Sequence, residues 1–397
     1  MGRPGLDVHH RRARVASAAL FLTNGALFAN LLPRFPEIKT DLGLSNTAFG
    51  LAVAAFSAGA LLTGPAAAAL IRRYRSSVVA VAGSVLIAVF TIVAGLAPTG
   101  PVLAAALFCA GAADSVTDVA QNVHGLRVQR AYGRFIINSL HAVWSSGAVL
   151  GGLMGAGAIY LGIPRAVQLS ASGLVFSALC LIAYRFLLPG PDHDDTESRT
   201  DERVAGESGR SVHLVLAALV AIAIAGAVVE DAGSSWATLY LRDSLSAPAA
   251  LAAFGYVALV GLQFIGRLVG DRLTDRWGPC AVARGGGLII AVGMATALAF
   301  PSIPGTIAGF AAAGFGSATL VPGAMHAADE LPGLRAGTGL TALTWLMRVG
   351  FLGSPILVGA IADAASLRVG LVTVPAAGLL TVLLARALSP RRRSTRS

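Results

Sequence analysis

The sequence predicts an all-α membrane protein with twelve transmembrane helices in two six-helix halves. Three observations predict it. Of the 397 residues, 55% are hydrophobic and 13% charged, with a mean hydropathy of +0.72, against about 25% charged in a soluble domain. Twelve apolar runs recur, each of about 20 residues or more, enough to cross a hydrocarbon core about 30 Å thick. A single long polar segment, 189–211, parts six of these runs from the other six. At such lengths in lipid only helices satisfy their own backbone.

The runs lie at 14–33, 46–70, 77–98, 101–125, 135–161, 165–188, 212–241, 249–273, 280–300, 303–328, 336–362 and 367–388. They organise the chain into a tail 1–13, a first half 14–188, a linker 189–211, a second half 212–388 and a tail 389–397. The first run follows MGRPGLDVHHRRAR, has full span length and lacks a small-residue cleavage site, so it reads as a span rather than a signal peptide. The linker is acidic, contains Gly and Ser and shows no apolar period, as a flexible connector does. Cys109, Cys180 and Cys280 sit inside apolar runs and read as packed thiols.

Basic residues set the orientation. They cluster in the tails and in every second loop, leaving Arg34, Lys39, Arg165, Arg242 and Arg368 on the other side and Arg348 within a span. This asymmetry places both termini in the cytoplasm. The net charge of +10 is spread over short clusters between apolar runs, so it reads as topology and not as a nucleic-acid surface. The bilayer is the expected surroundings.

Polar residues inside spans are costly, roughly 2.5–3.5 kcal/mol for a central charge on insertion scales, and they mark paths for solutes and ions. The fourth run carries Asp114, Asp118 and Asn122 at i, i+4 and i+8, one face of a helix. At 1.5 Å per residue Asp114 lies roughly 20 Å and Asp118 roughly 25 Å from the outer end, and His141 in the fifth run lies roughly 10 Å from the inner end. Asp118 and His141 thus fall at one depth, and a carboxylate–imidazole pair between the two spans is expected. Asp114, Asp118 and His141 are candidates for proton coupling; the other reading is a satisfied structural network of Asp118, Asn122 and His141.

In the second half Glu230 and Asp231 stand in the seventh run. Being adjacent, they point to different faces, and one is expected to line a cavity. Arg348 in the eleventh run needs either one of these acids as partner or an anionic solute. Asn24, Asn30, Asn122, Trp144, Trp236, Gln263 and Trp345 complete the candidate solute contacts, since amides and aromatic faces suit a polar solute; Trp near span ends also anchors at interfaces. His124 and His326 are expected on the surface at helix ends. Gly147, Gly151 and Gly155 give small-xxx-small spacing for close helix packing.

The halves carry traces of duplication. His141–Gly147 aligns with Thr344–Gly350 at an offset of 203 residues, and at that offset Arg72–Arg75 meets Asp275–Gly278. After the eighth run stands Gly266-Arg267-Leu-Val-Gly270-Asp271-Arg272-Leu-Thr-Asp275-Arg276. Its glycines allow close helix approach, and Asp271 can pair with Arg272 or Arg276 at a helix end, locking one side of the molecule. The first-half counterpart from Gly64 to Arg75 has no acid.

This motif resembles the loop signature of the major facilitator superfamily, and with twelve spans and a central linker the whole chain resembles one of its secondary transporters. The segment GAADSVTDVAQNVHGLRVQRAYGR with LHAVWSSGAVLGG is similar to the YbjJ-type branch, distantly related to fucose:proton symporters, with Gln129 where that pattern carries an acid. The resemblance implies a monomer that carries a small-molecule substrate together with H⁺ by alternating access. Antiporters of the superfamily often carry Gly-Pro where this chain has Gly151-Gly152, which favours uptake over efflux. Efflux of a metabolite or drug, and a sensor that keeps the fold without transport, stay open. GxxxxGK[ST], His/Cys metal spacing and a nucleophile elbow are absent, so no cofactor, metal or enzymatic activity is expected.

Overall fold

The computed structural model describes residues 8–133, 136–190, 210–331, 334 and 338–389, which holds no strand. The linker expected at 189–211 and the tail at 389–397 lie almost wholly outside the described residues, as do residues 1–7; residues 8–13, expected in the first tail, begin the first helix. Among the described residues, twelve helical spans are long and apolar enough to cross a membrane: α1 (Val8–Asp41), α2 (Asn46–Tyr74), α3 (Ser76–Gly95), α4 (Gly100–Tyr132), α5 (Ser139–Tyr160), α6 (Arg165–Tyr184), α7 (Val212–Ser244), α8 (Ala249–Trp277), α9 (Pro279–Ala299), α10 (Ile303–Asp329), α11 (Thr338–Ala364) and α12 (Leu367–Leu388).

Several helices overrun the apolar runs that announce them. Hydropathy marks only the length inside hydrocarbon, whereas the hydrogen-bond ladder continues into the polar zone until a residue breaks it. α4 runs to Tyr132 and stops at Gly133, in the left-handed conformation at φ 68°. His124 is therefore not at a helix end: it lies about two turns inside α4, is 1% exposed, and shares a hydrogen bond of 3.1 Å with Ser76 at the start of α3. His326 is exposed as expected. Prolines distort other spans: α1 tightens at Leu32–Arg34 beside Pro33, and α2 at Gly64–Ala66 beside Pro65. α7 widens at Ala232–Trp236, directly after Glu230 and Asp231.

The two halves repeat one packing scheme. In the first, α1 packs on α5, α2 and α3 on α4, and α3 on α6; in the second, α7 packs on α11, α8 and α9 on α10, and α9 on α12. The offset of 203 residues recurs in atomic detail. A Cβ at Gly111 would collide with the carbonyl of Phe56, and one at Gly314 with the carbonyl of Leu259. Arg75, at φ 72° and ψ 148°, occupies the same backbone conformation as Gly278, at φ 79° and ψ 156°.

Between the halves α2 packs on α11 and α5 on α8. The face opposite the described chain ends is closed. Asp363 of α11 accepts hydrogen bonds from the backbone N–H groups of Asn46 (2.9 Å) and Thr47 (2.7 Å) at the start of α2. Gly50 and Gly359 let the two backbones meet, since a Cβ on Gly50 would strike the carbonyl of Pro355. Lys39 approaches Asp243 at 3.8 Å, and the rings of Phe49 and Trp236 meet edge to face at 5.5 Å. The other face is open: a cavity of about 880 Å³ runs in past Asp275, Pro279, His326 and Leu388 toward Asp118, His141 and Arg267.

Candidate functional site

Beyond this opening a second cavity of about 380 Å³ lies between the halves, lined by α1, α2, α4 and α5 on one side and α7, α8 and α11 on the other. Eight of the residues singled out in the sequence edge it: Asn24, Asp114, Trp144, Glu230, Asp231, Gln263, Arg267 and Arg348.

The first half contributes a linear relay. Trp144 Nε1 donates to Asn24 Oδ1 at 2.6 Å, and Asn24 Nδ2 donates to Asp114 Oδ1 at 3.0 Å. Gly25 makes this possible: a Cβ there would strike the Trp144 carbonyl, so only glycine lets α1 and α5 approach closely enough. Asp114 has an amide as its hydrogen-bonded neighbour and, among the described residues, no cation within 4.0 Å.

The second half contributes a cluster. Gln263 Nε2 donates to Glu230 Oε2 at 3.1 Å, and Arg267 Nη2 stands 4.0 Å from the same oxygen. Arg267 Nη1 reaches across to Ser145 Oγ at 3.3 Å. Adjacent acids were expected to leave one of the pair outside the cavity. Both line it, Glu230 half-buried and Asp231 8% exposed, with Ser235 one turn on donating to Asp231 Oδ1 at 3.0 Å. Adjacent residues stand about 100° apart on a helix, and the cavity wall spans that arc, so it takes both.

Arg348 pairs with neither acid. Its Nη1 donates to the carbonyl of Ala60 in α2 at 3.2 Å, and among the described residues no carboxylate lies within 4.0 Å of it. Glu230 instead faces Arg267, a residue that the sequence placed only in the gating motif.

The expected Asp118–His141 pair is bridged and not direct. Asn122 Nδ2 donates to Asp118 Oδ1 at 3.1 Å, and Asn122 Oδ1 sits 3.0 Å from His141 Nε2. With the amide so oriented, Nε2 carries the proton. His141 also meets the Phe21 ring edge to face at 5.4 Å. Asp118 and His141 line the wide opening, and none of the three side chains lines the inner cavity.

Three candidates stand elsewhere. Asn30 is buried, bonded to the carbonyl of Ala26 and to Gln168, where it ties α1 to α6. Trp236 is fully buried in the closed face. Trp345 is 57% exposed on the outer surface of α11, as an interfacial or lipid-facing residue is. The gating residues are helical rather than in a loop, because α8 runs unbroken to Trp277. Gly266 packs on Phe315 and Ala318 and Gly270 on Thr319, in close helix approach. Asp271, Arg272, Asp275 and Arg276 are exposed and, among the described residues, form no ion pair; the Arg276 guanidinium lies 5.9 Å from the Trp277 ring centroid. The face they would lock is open, so a partner across the halves is out of reach. Ser145, Ala60, Tyr256 and the stacked Phe28–Phe56 pair (4.3 Å) join the lining unforeseen. Arg267 had a signal: the 203-residue offset places it opposite Gly64, inside the packed part of α2.

A family model described as Major Facilitator Superfamily matches residues 17–273. The chain is 30% identical over 375 residues to the uncharacterized transporter y4wD of Sinorhizobium fredii, covering 94% of this chain and 97% of that protein. Among solved structures, a bacterial homolog of the human lysosomal transporter Spinster, inward-facing and occupied, aligns with TM-score 0.76 at 14% identity over 97% of each chain. A D-xylose–proton symporter aligns with TM-score 0.68 at 14% identity, over 95% of this chain and 97% of that one.

Proposed function

The chain belongs to the Major Facilitator Superfamily, a family of transporters and not of enzymes, and from that premise we propose that it moves a small polar solute by alternating access with proton coupling. The observation that carries the reading is the inner cavity, where Asp114, Asn24 and Trp144 of one half face Glu230, Gln263 and Arg348 of the other. Amides, carboxyls and an indole suit a sugar-like solute or a related metabolite, the class named for the aligned D-xylose symporter. Asp114 faces the cavity with an amide and no cation beside it, so gaining or losing a proton breaks no ion pair. The latched face and the open face form the two ends of a rocking motion. The molecule sits in the cytoplasmic (inner) membrane as a monomer with both termini inside, supported by the arginine asymmetry, and its sequence pattern favours the YbjJ-type branch.

A second reading has an observation of its own. Phe28, Phe56, Tyr256, Phe351 and Val53 make much of the cavity wall apolar, which suits efflux of an amphipathic compound. Counterflow in proteoliposomes loaded with unlabelled sugars, polyols, amino acids or organic acids separates the two. Accumulation of label from one solute class supports the polar reading. Silence across the panel, with gradient-driven loss of an amphipathic dye, replaces it with efflux.

A further inference from the structure

We propose that the solute carries a single carboxylate, that Arg348 receives it, and that hydroxyl or ammonium donors at its other end meet Asp114. This rests on the polar-solute reading above and narrows it to a chemical class.

The two arginines of the cavity are related by the internal duplication. Position 267 corresponds to Gly64 and position 348 to Ser145 at the 203-residue offset. Arg267 reaches over to Ser145 and Arg348 to Ala60, one turn before Gly64, so each touches the neighbourhood of the other's counterpart. Their charges differ in balance. Arg267 has Glu230 at 4.0 Å, which Gln263 also holds, and this cluster is internally satisfied. Arg348 has the Ala60 carbonyl on Nη1 and no carboxylate within 4.0 Å among the described residues; Asp114 and Asp118 act on it through space from beyond that distance. A guanidinium has five N–H donors in a planar fork, so most of its donors stay available to the cavity it lines.

A cation kept in the middle of a span with no carboxylate paired to it directly marks a ligand or ion path. The fork fits a carboxylate through two parallel hydrogen bonds. A phosphate dianion fits poorly, because Asp114, Glu230 and Asp231 line the same space and would repel the second charge. On the facing half Asp114 and Asn24 supply acceptors for hydroxyl or ammonium groups, and Trp144 gives a flat apolar surface. About 380 Å³ admits a solute of this size.

The test uses purified full-length protein in detergent at neutral pH and pairs of solutes that differ in the carboxylate: glucuronate with glucose, gluconate with sorbitol, alanine with alaninol. Binding is read by calorimetry and thermal shift. The acid of at least one pair is expected to bind at least tenfold more tightly than the partner that lacks the carboxylate; the sugar-acid and amino-acid arms say whether hydroxyls or an ammonium face Asp114. Arg348→Gln should erase the preference, and Arg348→Lys should keep part of it. Melting of both variants without solute shows that they fold. Equal binding within every pair, or a preference untouched in Arg348→Gln, overturns the inference; counterflow of the neutral solutes would then leave the transport reading standing. Silence of all solutes in both binding and counterflow overturns the two together.

Discussion

The two halves of the molecule share a scaffold and differ in their chemistry. Gly111 against Phe56 and Gly314 against Leu259 are the same crossing of α2 on α4 and of α8 on α10, and Arg75 and Gly278 are the same turn. At the same offset the polar groups do not repeat. Asp114 and Asp118 correspond to Ser317 and Val321, Glu230 to Leu27, Gln263 to Ala60, and Arg348 to Ser145. Close packing needs the same small residue in the same place twice. A binding site between halves needs different residues on its two walls, because an asymmetric solute meets both at once. Duplication therefore preserves the frame, and substitution at equivalent positions builds the site.

That contrast can be broken most severely at the crossings. Gly111→Val and Gly314→Val each push a side chain into a backbone carbonyl that cannot move aside. An overpacked core position costs roughly 1–3 kcal/mol when side chains can adjust, and here the obstacle is main chain. Both variants are expected to lose most of their folded yield by size-exclusion chromatography, and to similar extents. Normal yield for one of them would show that the crossings are not equivalent.

The smallest effect belongs to the turns. A non-glycine residue at positive φ with extended ψ is disfavoured by about 1–3 kcal/mol, and Arg75 holds such a conformation where its counterpart is glycine. Arg75→Gly should raise the melting temperature by a degree or two and Gly278→Ala lower it by a similar amount, with transport unaffected. A fall in Arg75→Gly would mean that the arginine side chain contributes more than its backbone costs.

The frame was legible in the sequence because hydropathy records helix length in lipid and glycine spacing records close approach. All twelve spans lie where the apolar runs place them, and the 203-residue offset read from His141–Gly147 and Thr344–Gly350 recurs in the packing. Which polar residues meet at the inner cavity was legible in the sequence, and how they pair was less so. Asn24, Asp114, Trp144, Glu230 and Arg348 stand out because polar residues are rare in spans. Which carboxyl meets which cation depends on helix rotation and on the widened turns of α7, and neither leaves a periodic signal. Glu230 thus met Arg267 in place of Arg348, and Asn122 came between Asp118 and His141. Trp236 and Trp345 show the other limit: an aromatic residue in a span is equally at home in a core or facing lipid.

The central claim is that the asymmetric seam couples solute to proton through Asp114. The most direct test is the pH inside proteoliposomes as each solute of the panel is added outside, for wild type and Asp114→Asn. The account predicts that one solute class acidifies the lumen of wild-type vesicles. It also predicts that Asp114→Asn, which keeps a side chain of the same shape beside Asn24, reduces this at least tenfold while counterflow of the same solute persists. Acidification undiminished in Asp114→Asn would contradict the account and move the coupling carboxyl to Glu230, Asp231 or Asp118.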